Sequence, residues 1–430
     1  MTPPSIEDAA NALRERKTTC VALARAALAQ IEALQPETNA FLTVTADAAL
    51  AQAAVLDQEL GAGRDRGPLH GIPYACKDNI DTAGVRTTVG SRYFENRVPG
   101  ADALVVKRLS AAGAVMLGKT NLNEFAAGTS GKNVRFGDVH NPRSLAHSAG
   151  GSSSGSAAAV ASGMVPAGLG SDTSGSIRVP AACTGIVGLR PTFGRVPIDG
   201  VFPRAESFDV VGPLTRSVRD CAALLDALAP GENFAAGIVG GIAGLRLGLV
   251  DDICDAGASF RALGADVREI AMPGTLDYNV LVDIMLFEFH RILGEQFRAC
   301  RNPDEVFGPV VCANLRRGQQ ISETTYHSAL AARERQSAAI HALLGEIDAV
   351  VTPVLPGPTP RLDAPTEEFD RQRKYMIAFS GAGVPAISLP CGVSQGLPVG
   401  MQIVAGRGRE NLLLRIAQVY ESTHGGGASS

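Results

Sequence analysis

The chain has 430 residues, 45% of them hydrophobic and 19% charged, a balance that supports a large packed core and excludes a disordered polymer. A net charge of −4 provides no basic field for nucleic acid, and the absence of any run of about 18 apolar residues speaks against a membrane span. Eight cysteines scattered from Cys20 to Cys391, with no Cys-x-x-Cys pair and no histidine at metal-ligand spacing, point to a reduced, cytoplasmic protein that needs no metal. The N-terminus lacks the regions of a secretory signal, and the tail Gly425–Ser430 reads as a frayed end.

From the N-terminus, apolar residues at helical spacing between Ile6 and Leu34, broken around Lys17-Thr18-Thr19, predict two helices. A short strand at Ala40–Thr45 and a helix at Asp47–Leu60 follow, then the loop Gly61–Pro68. Ile72–Cys76 reads as a buried strand that ends on Lys77. Lysine is scarce here, six against thirty-three arginines, so a lysine at the end of an apolar strand is not there for solubility. Desolvation would lower its pKa toward the range where a neutral amine acts as a base; the alternative is an ion pair with Asp78 or Asp81. Ala103–Ala112 is expected to be helical, Ala114–Gly118 a strand and Asn121–Ala127 helical again. The loop that follows, with Gly128 and Thr129, could floor a pocket or be a plain turn.

Gly150–Ser176 carries two Gly/Ser loops around a small-residue helix at Ala157–Val165. Such composition would suit a flexible linker, but Val160, Met164 and Leu169 need a core. Further on, Pro213–Leu228 reads as an amphipathic helix, Leu245–Val250 as a strand and Leu263–Ile270 as a loop and strand. The connecting Asp251–Ala262 is short and lacks a long helical pattern. Asp277–Leu344 is helical, Asp348–Thr352 and Ala386–Pro390 are late strands, and Asn411–Tyr420 is a closing helix. This alternation of helices and strands implies a layered α/β fold.

A serine hydroxyl needs a base within hydrogen-bond reach to act as a nucleophile. None of the seven histidines stands in a catalytic setting, and His147, near the first Gly/Ser loop, is a lone loop residue. Gly151-Ser-Ser153-Ser-Gly155 satisfies the nucleophile-elbow pattern, which would make Ser153 the nucleophile, but the elbow requires a strand of bulky apolar residues before it and Arg143–Gly150 is not one. No lysine has a serine three positions before it, so a Ser-x-x-Lys arrangement is absent. In a serine–lysine system the base must come from elsewhere, and Lys77 is the best placed.

Gly150–Gly163, Gly170–Ala181 and Gly71–Ile80 resemble the amidase signature family, as do Gly118–Phe125, Gly188–Thr192, Gly212–Ser217 and Leu397–Gln402. The resemblance spans nearly the whole chain and implies one α/β/α domain, residues 1–430, with a large mixed twisted sheet covered by helices. N-terminal helices (1–65) would pack on a catalytic core of about 66–225. It also implies a Ser-cisSer-Lys triad: Ser176 as nucleophile, Ser152 as the bridging serine on a cis peptide, and Lys77 as base. The implied oxyanion hole falls on the amides of Thr173, Ser174, Gly175 and Ser176, with Gly128, Thr129 and Ser153 as further substrate contacts. Where the family usually has Gly-Gly-Ser, this chain has Ser174-Gly175-Ser176; serine at 174 is strained if its φ is positive and otherwise narrows the pocket. Relatives carry a longer helix where Asp251–Ala262 is short.

The activity implied is hydrolysis of a small carboxamide or urea-type amide through an acyl-enzyme, with no metal or organic cofactor, no nucleic acid or membrane partner, and a homodimer as the possible assembly. The alternative is the glutaminase (A) subunit of a glutamyl-tRNA amidotransferase complex. Members of that kind usually carry Ser-Ser-x-Asp-Gln where this chain has Ala205–Val210, which favours the hydrolase.

Overall fold

The computed structural model describes residues 4–274, 277–373 and 375–424, so the tail Gly425–Ser430 lies outside the described residues. In chain order the strands are β1 (Phe41–Val44), β2 (Pro73–Lys77), β3 (Val115–Thr120), β4 (His140–Asn141), β5 (Ser144–Ser148), β6 (Ala167–Asp172) and β7 (Val187–Arg190). They continue as β8 (Val210–Thr215), β9 (Arg246–Leu249), β10 (Asp266–Glu269), β11 (Ala349–Pro353), β12 (Ala386–Ser394) and β13 (Leu397–Ala405). Eleven of them form one sheet in the order β1-β3-β2-β6-β8-β7-β12-β13-β11-β9-β10, and β4 with β5 forms a separate hairpin. The sheet is mixed: β2 runs parallel to β3 and β6, and β9 parallel to β10 and β11, while β8 is antiparallel to both β6 and β7.

Strand alternation splits the core between the two faces of this sheet. Along β2, Tyr74 and Cys76 pack with Leu109, Leu224 and Tyr420 on one side. Ala75 faces the other, with Ala27, Val160 and Ala181. Helices therefore cover both faces, and each helix start has its own signal: Ser217 and Thr19, for instance, accept from the N–H groups of Asp220 and Ala22. The long helices Tyr278–Ala299 and Glu323–Glu346, with the shorter Pro309–Gln319, add a layer packed against one another.

The sequence reading missed the hairpin strands β4 and β5 and, in the central sheet, β6, β7, β8 and β13. β6 has no β-branched residue, and β8 and β13 carry interior glycine and proline, so period and propensity both hide them. Pro213–Leu228 is consequently the end of β8 followed by a helix at Val218–Leu228, not one long helix. Asn121–Ala127 is no helix either: it holds a single turn, Glu124–Ala126, with Phe125 and Ala126 at φ of 51° and 55°. Asp251–Ala262, expected to carry no long helix, holds only the seven-residue helix Ala256–Ala262.

The Gly/Ser-rich stretch lies in the packed interior, as Val160, Met164 and Leu169 require. Residues 150–160 and 163–176 are buried, and the helix Ser154–Ala161 lies so close to its neighbours that a Cβ on Gly155 would sit 2.3 Å from Ala40 O. Small residues are what that approach requires.

Candidate active site

β2 ends at Lys77, whose side chain is completely buried. Its Nζ lies 2.8 Å from Ser152 Oγ, 2.9 Å from Ser171 Oγ and 3.3 Å from Ser171 O. The ion pairs weighed for it from sequence do not form. Asp78 accepts from Thr88 N and Oγ1 at 2.8 and 2.6 Å, and Asp81 pairs with Arg97 at 2.6 Å. With no carboxylate in contact, burial lowers the Lys77 pKa from 10.5 to about 7, against the opposing fields of Asp172 and Asp209.

Ser152 follows Gly151 through a cis peptide bond. The next residue, Ser153, donates its N–H to Ser176 O at 3.1 Å, which joins the first Gly/Ser loop to the second beside both serines. Ser153 itself does not reach the cavity as expected. Its Oγ is buried, donates to Ser171 O at 3.1 Å and accepts from Ser171 N at 3.3 Å, so it ties the loop to β6. The strand before it, β5, belongs to the small hairpin and not to the central sheet, so the elbow geometry is absent.

The second loop is shaped by Asp172 at the end of β6. Its carboxylate accepts from Gly175 N at 2.7 Å and Ile177 N at 3.2 Å, and pairs with Arg178 at 3.1 Å and Arg190 at 3.2 Å. Burial would raise the Asp172 pKa, but the two guanidinium groups hold it well below the usual carboxylate range. Arg178 reaches on to Gln402 Oε1 at 3.0 Å and Ser380 Oγ at 2.7 Å, which anchors the loop to β13 and the helix before β12.

This arrangement corrects one expectation. The Gly175 N–H is spent on Asp172 and is not free for an oxyanion, whereas among the described residues the N–H groups of Thr173, Ser174 and Ser176 donate to nothing. The left-handed φ falls on Gly175 (122°), not on Ser174, and a Cβ at 175 would come 2.7 Å from Met376 Sδ. Ser174 has no positive φ and lines the cavity.

Thr173, Ser174 and Ser176 line a cavity of about 550 Å³, with Gly128 and Thr129 also on its wall. The helix Tyr278–Ala299 closes the opposite side through Val282, Met285 and Leu286. Four arginines, Arg204, Arg317, Arg371 and Arg373, line it as well, and among the described residues no acidic side chain does. Among the described residues no group of three or more histidine, cysteine or acidic side chains could hold a metal ion, and no helix is long and apolar enough to cross a membrane.

Sequence reasoning missed Ser171, which contacts Lys77 through both its hydroxyl and its carbonyl and also accepts from Asn79 Nδ2 at 3.0 Å. Its signal was the position at the end of an unrecognised strand. Arg204 was missed because a single arginine in a loop carries no pattern.

A mixed eleven-stranded sheet that buries a lysine against one serine of a Gly/Ser loop and one of the neighbouring strand is the frame of an amidase signature enzyme. The sequence model of the Amidase family matches residues 22–234 and 259–414, and the chain belongs to that family. The unmatched interval, 235–258, includes most of the short Asp251–Ala262 connection. Among curated proteins it is similar to the A subunit of the glutamyl-tRNA(Gln) amidotransferase of Roseiflexus sp. (strain RS-1), 37% identical over 97% of this chain and 96% of that one. The corresponding protein of Geobacter metallireducens (strain ATCC 53774 / DSM 7210 / GS-15) is also 37% identical, with the same coverage. Among solved structures, the native peptide amidase of Stenotrophomonas maltophilia superposes with a TM-score of 0.87 at 32% identity, over 98% of this chain and 96% of that one.

Proposed function

We propose that the chain is a serine amidohydrolase that releases ammonia from a small carboxamide through an acyl-enzyme on Ser176. The observation that carries this is the buried Lys77 Nζ, 2.8 Å from Ser152 Oγ and without a carboxylate partner. A neutral amine has two hydrogens and one lone pair. Ser171 O and Oγ can take the two hydrogens, which leaves the lone pair to accept the Ser152 proton. Ser152 then accepts the proton of Ser176, whose oxygen attacks the amide carbon. The amides of Thr173, Ser174 and Ser176 receive the developing oxyanion, an effect worth about 3 kcal/mol per donor. The proton returns through the relay to the leaving nitrogen, and water hydrolyses the ester by the same path.

Two forms of this chemistry differ in setting. Relatives named as the A subunit of glutamyl-tRNA(Gln) amidotransferase, at 34–38% identity, support a glutaminase within an amidotransferase assembly better than a free-standing hydrolase, against the weaker indication from Ala205–Val210. The solved neighbours support the free-standing form, since a peptide amidase and a 6-aminohexanoate cyclic dimer hydrolase are among them. The test is ammonia release by the purified chain from glutamine and from a panel of simple amides, with trapping of the acyl-enzyme by a fluorophosphonate and mapping of the label. A label on Ser176 that is lost in Ser176→Ala is expected. A label on Ser153, or full turnover in Ser176→Ala, overturns the reading.

A further inference from the structure

The cavity in front of Ser176 is lined by four arginines, and one buried carboxylate ties the backbone of one of them, Arg204, to the nucleophile loop. Asp209 Oδ2 accepts from the backbone N–H of Arg204 at 2.7 Å, and Asp209 Oδ1 accepts from Thr173 Oγ1 at 2.5 Å. Arg204 is thus held in register with the loop that ends at Ser176. Its guanidinium lies 4.1 Å from the centroid of the Phe289 ring and gives one N–H to Met285 O at 3.1 Å. A guanidinium has five N–H groups in a planar fork, so donors remain for a ligand in the cavity that Arg204 lines. Burial, and then the nearby Arg373, push the Arg204 pKa down to about 9, against the opposing fields of Asp209 and Glu288. Arg317 is paired with Asp283 at 2.9 Å, but Arg204 and Arg371 also line the cavity and, among the described residues, no acidic side chain does, so its wall favours an anion over a cation.

We propose that the substrate is an anionic amide, a small carboxamide whose acyl chain ends in a carboxylate, and that Arg204 selects it by binding that carboxylate while the amide carbonyl lies at Ser176. This rests on the amidohydrolase reading of the site and adds to it the substrate class and the residue that recognises it. The cavity offers no carboxylate to an α-ammonium group, among the described residues, so the monoamide of a dicarboxylic acid fits it better than the corresponding amino acid. An Arg204 present only to brace Phe289 would affect stability without regard to substrate charge.

The experiment compares kcat/KM for succinamate and glutaramate with their neutral counterparts butanamide and pentanamide, and for glutaramate against glutamine, using ammonia release by the full chain. The wild type should prefer each anionic amide by on the order of 10- to 100-fold, as expected for one charge-assisted contact. In Arg204→Gln that ratio should collapse toward one, mainly through KM, and Arg204→Lys, which keeps the charge but not the fork, should fall between. The ratio is internal to each variant, so partial loss of folded protein does not disguise it, and Arg204→Lys serves if Arg204→Gln does not fold. No anionic preference in the wild type, or an undiminished preference in Arg204→Gln, overturns the proposal while fluorophosphonate labelling of Ser176 leaves the amidohydrolase reading standing. Absence of both labelling and turnover brings down the reading itself and this proposal with it.

Discussion

Lys77→Met isolates the thermodynamic cost of keeping a lysine neutral in the core. In the unfolded chain the lysine titrates near 10.5, and in the folded protein burial lowers this to about 7. The gap corresponds to about 5 kcal/mol. Between the two values the unfolded state holds a proton that the folded state lacks, so stability rises with pH across this window at about 1.4 kcal/mol per pH unit. Below about 7 both states are protonated and the contribution is flat. Methionine does not titrate. The variant's stability advantage should therefore shrink by about 2 kcal/mol from pH 7 to pH 9. Losing the contacts to Ser152 and Ser171 adds an offset of about 1–3 kcal/mol that does not depend on pH, so the slope and not the absolute difference is the measurement. Urea unfolding of both proteins at pH 7, 8 and 9 gives it, because titrations elsewhere cancel in the difference. Parallel stability curves would show that Lys77 keeps an ordinary lysine pKa and would refute the neutral-base argument. The same protonation should appear in catalysis, with kcat/KM of the wild type rising tenfold per pH unit below about 7 and levelling above it.

Gly175→Ala should cost stability and nearly all turnover, because φ at this residue is 122° and the new methyl would lie 2.7 Å from Met376 Sδ. A strain of about 1–3 kcal/mol is expected in a thermal or urea melt, with a fall in fluorophosphonate labelling of Ser176 that exceeds the loss of folded protein. Asp172→Asn should destabilise by about 3–5 kcal/mol, since it leaves the buried Arg178 and Arg190 without their counter-charge. Unfolding at neutral pH measures it, and a change below about 1 kcal/mol would show that the two arginines are balanced by other groups.

Much of the candidate site was legible, Lys77 from a residue type that stands out and Ser152 and Ser176 from the family resemblance of the loops that carry them. Lys77 is one of six lysines and follows an apolar strand, and Ser152 and Ser176 sit in loops too rich in glycine and serine for any ordinary core element. The network that positions them was not legible. Asp172 joins Arg178 nearby to Arg190, and through Arg178 to Ser380 and Gln402, and pairings over such separations follow from the sheet order and not from local pattern. The same holds for Arg204, which meets Phe289 of a distant helix directly and Thr173 of the nucleophile loop through Asp209.

The failure to read β6 has a more specific cause. A central strand is ordinarily recognised by Val, Ile and aromatic residues, which fill the space between a sheet and the helices above it. In β6, Ala167-Gly-Leu-Gly-Ser-Asp172, that space is taken by the helix Ser154–Ala161 and the first Gly/Ser loop pressed against the strand. A Cβ on Gly168 would lie 3.1 Å from Ser156 O, and one on Gly170 would lie 2.9 Å from Ser153 Oγ. That close approach lets Ser171 sit on the strand and still meet Lys77 from the neighbouring β2, with Ser153 clamped to its backbone. Bulky β-formers at 168 or 170 would make the strand easy to recognise and would force the loop that carries Ser152 away from Lys77. The composition that conceals the strand is therefore the same composition that brings base and serine to 2.8 Å.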